Sequence, residues 1–139
     1  MTRVLGLDIG DKRIGVALSD PDGILASPFT IINCENDAAD IEAIVDIVNR
    51  QQVKQIIVGL PRSMNGSIGR QAEKVKAFAQ KLSGHISIPL EFRDERLTTV
   101  SAKRLRQEAE TKKTRGKIRY DAMAAAILLQ SYLDELKEA

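Results

Sequence analysis

The stretch that decides the fold is residues 3–18, which read RVLGLDIGDKRIGVAL. Two mostly apolar runs, Arg3 to Ile9 and Ile14 to Leu18, enclose the short polar segment Gly10 to Arg13. A connection this short between two strand-like runs is typical of a hairpin turn. We therefore expect the chain to begin with two antiparallel strands.

A second turn signal follows this hairpin. Asp20-Pro21-Asp22-Gly23 has Pro in its second position and Gly in its fourth, as type I turns favour. Ile24 to Ile32 then predicts a third strand. We expect this strand to be bulged or interrupted near Pro28, because Pro cannot donate a hydrogen bond to a neighbouring strand. The N-terminal third is thus predicted to be a three-stranded meander.

After residue 33 the apolar spacing becomes that of helices alternating with strands. The pattern predicts, in order, a helix capped by Asn36 or Asp37, a buried parallel strand at Gln55 to Gly59, a loop at Leu60 to Gly69, a helix over Ala72 to Leu82, a strand at Ile86 to Phe92, a helix beginning at Thr98 or Thr99, and a last helix over Tyr120 to Lys137. The order βββαβαβαα implies an α/β fold with a five-stranded mixed sheet flanked by helices. We expect residues 1–139 to form a single domain.

Composition excludes several classes of protein. The chain is 43% hydrophobic and 29% charged, which is ordinary for a globular protein. No apolar run approaches the roughly 20 residues that a membrane helix needs, and the N-terminus does not resemble a secretory signal. Cys34 is the only cysteine, so no disulfide can form within the chain. We expect a cytoplasmic protein that does not enter a membrane.

Positive charge is concentrated in one segment, although the net charge is only +2. The segment from Lys103 to Arg119 contains only two acidic residues, Glu108 and Glu110. Its basic residues are Lys103, Arg104, Arg106, Lys112, Lys113, Arg115, Lys117 and Arg119. Such a segment is typical either of a solvated helix face or of a surface that attracts phosphates. The pattern does not choose between the two.

One carboxylate lies inside an apolar strand. Strand alternation places Asp8 on the face that carries Val4 and Gly6. An ionised carboxylate on a covered strand costs several kcal/mol unless a positive group meets it. That group is either a bound metal ion or a structural ion-pair partner, for which Lys12 and Arg13 are the candidates.

Two further acidic positions are candidates for the same site. Asp94 and Glu95 follow the predicted fifth strand, where sites of α/β sheets gather. They point in opposite directions, and the residues alone do not choose between them or exclude a salt-bridge network with the flanking arginines. Asp121 continues the apolar stripe of the last helix, which contains Ala125, Leu128, Leu129, Tyr132, Leu133 and Leu136. Its alternative role is to stabilise the positive end of that helix.

These carboxylates form one cluster if the first strand, the end of the fifth and the last helix meet. Oxygen ligands, with His85 as the only histidine, favour Mg²⁺ or Mn²⁺ over Zn²⁺. A pair of such ions supports hydrolysis of a phosphodiester. The residues therefore predict a metal-dependent nuclease, with a nucleic-acid-binding module of weak or absent cleavage as the alternative.

Four motifs resemble those of the YqgF family, and together they cover nearly the whole chain. In order they are Leu7 to Ala17, Val58-Gly59-Leu60-Pro61 with Asn65-Gly66, Asp94 to Thr99, and Asp121 to Leu129. YqgF proteins are Holliday-junction-resolvase-like nucleases implicated in maturing the 5′ end of pre-16S rRNA. The stretch Leu7 to Gly10 also resembles the phosphate-binding turn of actin-like and sugar-kinase ATPases, but those enzymes close two such domains over a nucleotide.

The YqgF resemblance implies a ribonuclease H-like fold and a hydrolase that acts on ester bonds. It also implies that Asp8, Glu95 and Asp121 are the catalytic residues that bind Mg²⁺ or Mn²⁺, which selects Glu95 over Asp94. The candidates for holding the phosphates of the nucleic acid are Lys12, Arg13, Arg62, Ser63, Asn65 and Arg96. The expected substrate is pre-16S rRNA, with branched DNA as the alternative, and the expected state is a monomer or a homodimer.

Overall fold

The computed structural model describes residues 3–61, 69–94 and 122–138. Its elements are β1 (Arg3–Ile9), β2 (Arg13–Ser19), β3 (Ala26–Asn33), α1 (Asp37–Arg50), β4 (Val53–Leu60), α2 (Arg70–Ser83), β5 (Leu90–Asp94) and α3 (Met123–Glu138). The predicted helix at Thr98 or Thr99, the basic segment and most of the predicted loop lie outside the described residues. None of the described helices is long and apolar enough to span a membrane.

The strands form one mixed sheet in the order β3-β2-β1-β4-β5. β1 pairs with β2, and β2 with β3, in the antiparallel sense expected of a meander. β4 lies parallel to β1 on the other side, and β5 lies parallel to β4. The predicted five-stranded mixed sheet is confirmed. It places the carboxyl ends of β1, β4 and β5 along one edge.

The β1–β2 turn depends on Gly10. Its backbone N–H donates a hydrogen bond to the Arg13 carbonyl at 2.9 Å, which closes the hairpin. A Cβ atom at position 10 would lie 2.9 Å from the same oxygen, a distance that real Cβ atoms essentially never show. Glycine is therefore required for this short connection.

β3 is bulged near Pro28, as predicted, but it begins later than predicted. Val16 of β2 faces Thr30 and Ala17 faces Pro28, so Phe29 is the extra residue. The strand begins at Ala26 and not at residue 24. The reason lies in the preceding turn, where the Asp20 carboxylate accepts hydrogen bonds from the backbone N–H groups of residues 24 and 25 at 2.7 and 3.1 Å.

β5 is shorter than the predicted strand over residues 86–92, which was wrong at its start. It begins at Leu90, directly after Pro89. Because Pro89 has no N–H, its pairing with β4 is limited to its carbonyl, which accepts a hydrogen bond from the Ile56 N–H at 3.0 Å. The earlier apolar residues of the segment, Ile86 and Ile88, pack partly buried against the core from a loop.

Each face of the sheet is covered by helices. On one face, α1 and α2 bury a core built from alternate residues of the inner strands, such as Leu5 and Val58. Asn36 caps α1, because its side chain accepts a hydrogen bond from the Ala39 N–H at 2.8 Å. On the other face, α3 buries Val4 and Ile57.

α3 begins later than the predicted last helix but buries most of the predicted apolar face, since Ala125, Leu128, Leu129 and Leu133 are all at most 1% exposed. It begins at Met123, and the predicted buried residue Leu136 is 54% exposed. The polar residue Gln130, which was not part of the predicted buried face, is only 1% exposed. Its amide accepts a hydrogen bond from the Ala26 N–H at 2.9 Å and donates one to the Ile24 carbonyl at 3.0 Å. These bonds to the start of β3 set which side of α3 faces the sheet.

α3 lies directly against β1 at Gly6. A Cβ atom at position 6 would come within 3.0 Å of the Leu129 Cβ and 3.1 Å of the Ala125 carbonyl oxygen. Further along the helix, the Tyr132 hydroxyl is 3.1 Å from the Gln55 side chain, at the amino ends of β1 and β4. The helix thus runs antiparallel to β1, and its beginning lies toward the carboxyl end of that strand.

We expect Gly6→Ala to lower the free energy of unfolding by about 1–3 kcal/mol, because the added methyl overpacks the contact between β1 and α3. Urea unfolding followed by circular dichroism measures this. Gly84→Ala is the control, since its Cβ would make only an ordinary contact of 3.4 Å with the Lys81 carbonyl. A Gly6→Ala protein as stable as wild type would contradict the close approach of α3.

Candidate active site

Asp8 lies at the carboxyl end of β1, on the face of the sheet that α3 covers. Alternation along β1 puts it on the same side as Val4, which packs in the α3 core, and Gly6, which contacts α3. The side chain is half-buried. The sheet thus directs this carboxylate toward the space at the beginning of α3.

The strand positions on either side of Asp8 carry no side chain. Gly15 of β2 pairs directly with Asp8. On the other side, Gly59 of β4 follows Val58, the partner of Leu7, and so lies level with Asp8. Neither strand position next to Asp8 therefore places a side chain beside the carboxylate on this face.

No cation of the described chain neutralises Asp8. None of the ion pairs among the described residues joins Asp8 to Lys12 or Arg13, so the alternative of a structural ion pair has no support there. Both basic residues are exposed on the β1–β2 hairpin. A carboxylate oxygen that takes part in no ion pair among the described residues is a suitable ligand for a divalent metal ion.

The carboxyl end of β5 reaches the same edge of the sheet. Arg93 pairs with Gly59, and Asp94 pairs with Leu60. Because paired residues of neighbouring strands share a face, Arg93 lies on the Asp8 side, whereas Asp94 lies on the side of the α1–α2 core, where Leu60 is buried.

Several predicted site residues lie outside the described residues. They are the carboxylates Glu95 and Asp121 and the phosphate-binding candidates Arg62, Ser63, Asn65 and Arg96. Of the predicted set, Asp8, Lys12 and Arg13 lie in the part of the chain that the structure describes. Lys12 and Arg13 lie on the hairpin that directly follows the Asp8 strand, and the pairing of Asp8 with Gly15 puts Arg13 on the Asp8 face.

Sequence reasoning did not predict that the first turn of α2 also lies at this edge. The Gln71 side chain donates a hydrogen bond to the Ile9 carbonyl at 3.4 Å. One turn further along, the Lys74 ammonium is 3.6 Å from the Asp11 carboxylate. No local pattern in α2 signals these contacts, because they depend on how the helix crosses the sheet.

Comparison with known proteins shows close relatives over nearly the full chain. A family model described as "RuvX: Holliday junction resolvase" matches residues 2–135. A protein of Moorella thermoacetica is 50% identical over 134 residues, which are 96% of each chain. One of Caldanaerobacter subterraneus is 48% identical over 139 residues, which are 99% of each. Both relatives carry the name "Putative pre-16S rRNA nuclease".

Solved structures show the same fold at low sequence identity. The structure of Thermus thermophilus RuvC in complex with a Holliday junction substrate has a TM-score of 0.64 at 11% identity, and the match covers 100% of this chain and 98% of that one. The yeast mitochondrial Holliday junction resolvase Ydc2 has a TM-score of 0.63 at 11% identity, with 99% and 81% covered. The fold is therefore ribonuclease H-like, as expected.

The absence of Asp8 from the ion pairs of the described residues predicts how the protein tolerates a substitution of this carboxylate. In EDTA, we expect Asp8→Asn to leave the free energy of unfolding unchanged or to raise it by about 1 kcal/mol, because the substitution removes a charge that no described residue neutralises. A structural ion pair predicts the opposite, a loss of about 3–5 kcal/mol if the pair is buried. Urea unfolding of the two proteins distinguishes these outcomes.

Asp20→Asn is the matched control for a carboxylate with a structural role. Partial burial raises the pKa of Asp20, but hydrogen bonds from the backbone N–H groups of Leu25 and Ile24 outweigh it and hold that pKa below its usual value. The fold therefore favours the charged form, and we expect Asp20→Asn to be less stable than wild type above pH 5. An Asp8→Asn protein destabilised more than this control would contradict an unneutralised Asp8.

Proposed function

Because this chain belongs to the RuvX (YqgF) family, we propose that it is a nuclease that hydrolyses phosphodiester bonds with a divalent metal ion, Mg²⁺ or Mn²⁺. The observation that carries the proposal is the half-buried Asp8 carboxylate, which lies between two glycine positions and takes part in none of the ion pairs among the described residues. A carboxylate so placed is costly without a bound cation, and a metal ion removes that cost.

We propose that Glu95 and Asp121 complete the metal site. The alternation of β5 puts Glu91 and Arg93 on the Asp8 side, and the same alternation continued past Asp94 favours Glu95 as the next residue on that side. The antiparallel course of α3 directs the helix start, where Ala122 is fully buried, toward the carboxyl end of β1. Residue 121 immediately precedes that alanine.

The residues of the chain divide the work between metal and substrate. Asp8 belongs to a central strand paired on both sides, so its oxygens are held in place by the sheet. Lys12 and Arg13 attract and orient the phosphates of the nucleic acid without reading its sequence. Gly15 and Gly59 leave room for the sugar-phosphate backbone to reach Asp8. When bound, a divalent cation supplies activation of a water molecule and neutralisation of the charge that develops on the leaving oxygen.

The other phosphate contacts are assigned on the family resemblance. In this proposal the sugar-phosphate backbone of the substrate is contacted by Arg62, Ser63 and Asn65 of the predicted loop. Arg96, which follows β5 in the sequence, makes a further contact to it. The chain is 4% aromatic, which leaves few rings for stacking unpaired bases. Recognition by backbone and shape is therefore favoured over recognition of base identity.

We propose pre-16S rRNA as the substrate and the cytoplasm as the place of action, because the two relatives that are about half identical over nearly the full chain bear that rRNA nuclease name. Branched DNA is the second candidate, since the matching family model is described as a Holliday junction resolvase. Symmetrical cutting of a junction requires a homodimer with two sites, whereas a monomer suffices to trim an RNA end.

We expect purified protein to cleave a 5′-extended pre-16S RNA with Mn²⁺ and to lose this activity in EDTA. Asp8→Asn should reduce the rate by about 10²–10³-fold or more, because a ligand to the cation is lost. Asp22→Asn, which removes an exposed carboxylate from the β2–β3 turn, is the control and should cleave like wild type. A four-way DNA junction assayed in parallel tests the second substrate.

The outcomes separate the candidate functions. Faster cleavage of the junction than of the RNA would replace the substrate while keeping the site. Tight binding without cleavage, unaffected by EDTA, would support a nucleic-acid-binding module instead of a nuclease. Full activity of Asp8→Asn would contradict the proposed metal site.

A further inference from the structure

Arg93 is the one described residue with an unpaired buried side-chain nitrogen. Its side chain is only 10% exposed. Its two terminal nitrogens are bonded, but its Nε is buried without a hydrogen-bond partner. Because a buried donor without a partner costs stability, such a group calls for an explanation.

The guanidinium group joins β5 to α3. Nη1 donates a hydrogen bond to the Glu135 carboxylate at 2.7 Å, and Nη2 donates one to the Ser131 hydroxyl at 2.8 Å. Ser131 and Glu135 are four residues apart, so they lie on one side of the helix. Hydrogen bonding and the charge of Arg93 also hold the pKa of Glu135 below its usual value. The planar, two-pronged group thus fixes β5 against two successive turns of α3.

Stability alone does not explain this arginine. Burying a charge is costly, and an ion pair replaced by a well-packed apolar side chain of similar volume is often neutral or stabilising. What an apolar side chain cannot provide is a directed connection between a strand end and a helix. The arrangement is therefore suited to fixing the position of α3 relative to β5.

The place of this connection relates it to the site. Arg93 pairs with Gly59, which lies level with Asp8, so the two residues stand in one row across β5, β4 and β1. With strands about 4.8 Å apart, their Cα atoms are separated by roughly 9.6 Å. Along the sequence, Glu95 follows Arg93 by two residues, and Asp121 precedes Met123, the first residue of α3, by two.

We infer that Arg93 is a positioning residue that fixes the carboxyl end of β5 against α3 and thereby sets the spacing of the metal-binding carboxylates. The inference rests on the proposed function, because Glu95 and Asp121 are ligands only in that proposal. Metal sites require their ligands to be held within about 0.5 Å, and residues that orient ligands affect metal affinity about 10–100-fold. Arg93 therefore acts on metal binding without touching the metal or the substrate.

Mn²⁺ binding, measured from the electron paramagnetic resonance signal of free Mn²⁺, tests this role without relying on activity. We expect Arg93→Met to raise the dissociation constant about tenfold or more. Arg50→Met is the matched control, because it breaks an exposed ion pair with Asp46 on α1 and should bind Mn²⁺ like wild type. Cleavage by Arg93→Met should recover at high Mn²⁺ to within about threefold of wild type, since the carboxylates remain.

Conservative variants separate positioning from a general structural role. Arg93→Lys keeps the charge but lacks the two-pronged group, so we expect near wild-type thermal stability with weakened Mn²⁺ binding. If Arg93→Met does not fold, Glu135→Ala removes one of the two contacts at an exposed position and should still raise the dissociation constant about threefold. Wild-type Mn²⁺ affinity in Arg93→Lys would overturn the positioning role.

Mn²⁺ binding by the Asp8→Asn and Arg93→Met proteins separates a failed role of Arg93 from a failed metal site. If wild type binds Mn²⁺, Asp8→Asn loses that binding, and Arg93→Met matches Arg50→Met, only the role of Arg93 is overturned. If Asp8→Asn binds Mn²⁺ as tightly as wild type does, the metal site itself is overturned, and the role of Arg93 with it.

Discussion

The close approach of α3 to β1 at Gly6 is the contact on which the rest of the structure depends. A side chain at this position would meet Leu129 and the Ala125 carbonyl, so only glycine lets the helix lie this near the sheet. Polar contacts to β3 and β5, from Gln130 and Ser131, secure the helix on either side of β1. This placement directs the beginning of α3 toward the carboxyl end of β1, where Asp8 lies. The position of the candidate site depends on it.

Asp8 illustrates how a fold retains a group that does not stabilise it. The carboxylate is half-buried on a covered face, between strand positions occupied by Gly15 and Gly59, and no described residue neutralises it. Stability would favour an apolar or paired side chain at this position. An anionic side chain that takes part in no ion pair among the described residues suits a bound metal ion, which relates the cost in folding to the chemistry of a nuclease.

Local patterns were sufficient for the central part of the fold and insufficient where distant contacts decide. Apolar alternation and turn residues predicted β1, β2 and the mixed sheet, because these depend on neighbours along the chain. They misplaced the start of β3, which Asp20 delays through its side-chain hydrogen bonds, and the start of β5, which comes directly after Pro89. Strand alternation alone did not choose between Asp94 and Glu95, whereas the register with β4 places Asp94 on the opposite face from Asp8. The contacts of Arg93 with α3 had no signal in the sequence.

The central claim, a divalent metal centre at Asp8, is tested most directly by a crystal structure of the protein soaked in Mn²⁺, with the ions located by anomalous scattering. A metal centre predicts a peak about 2.1 Å from an Asp8 carboxylate oxygen, with carboxylates of Glu95 and Asp121 as further ligands. No peak at Asp8 in a crystal saturated with Mn²⁺, or peaks only at other carboxylates, would contradict it.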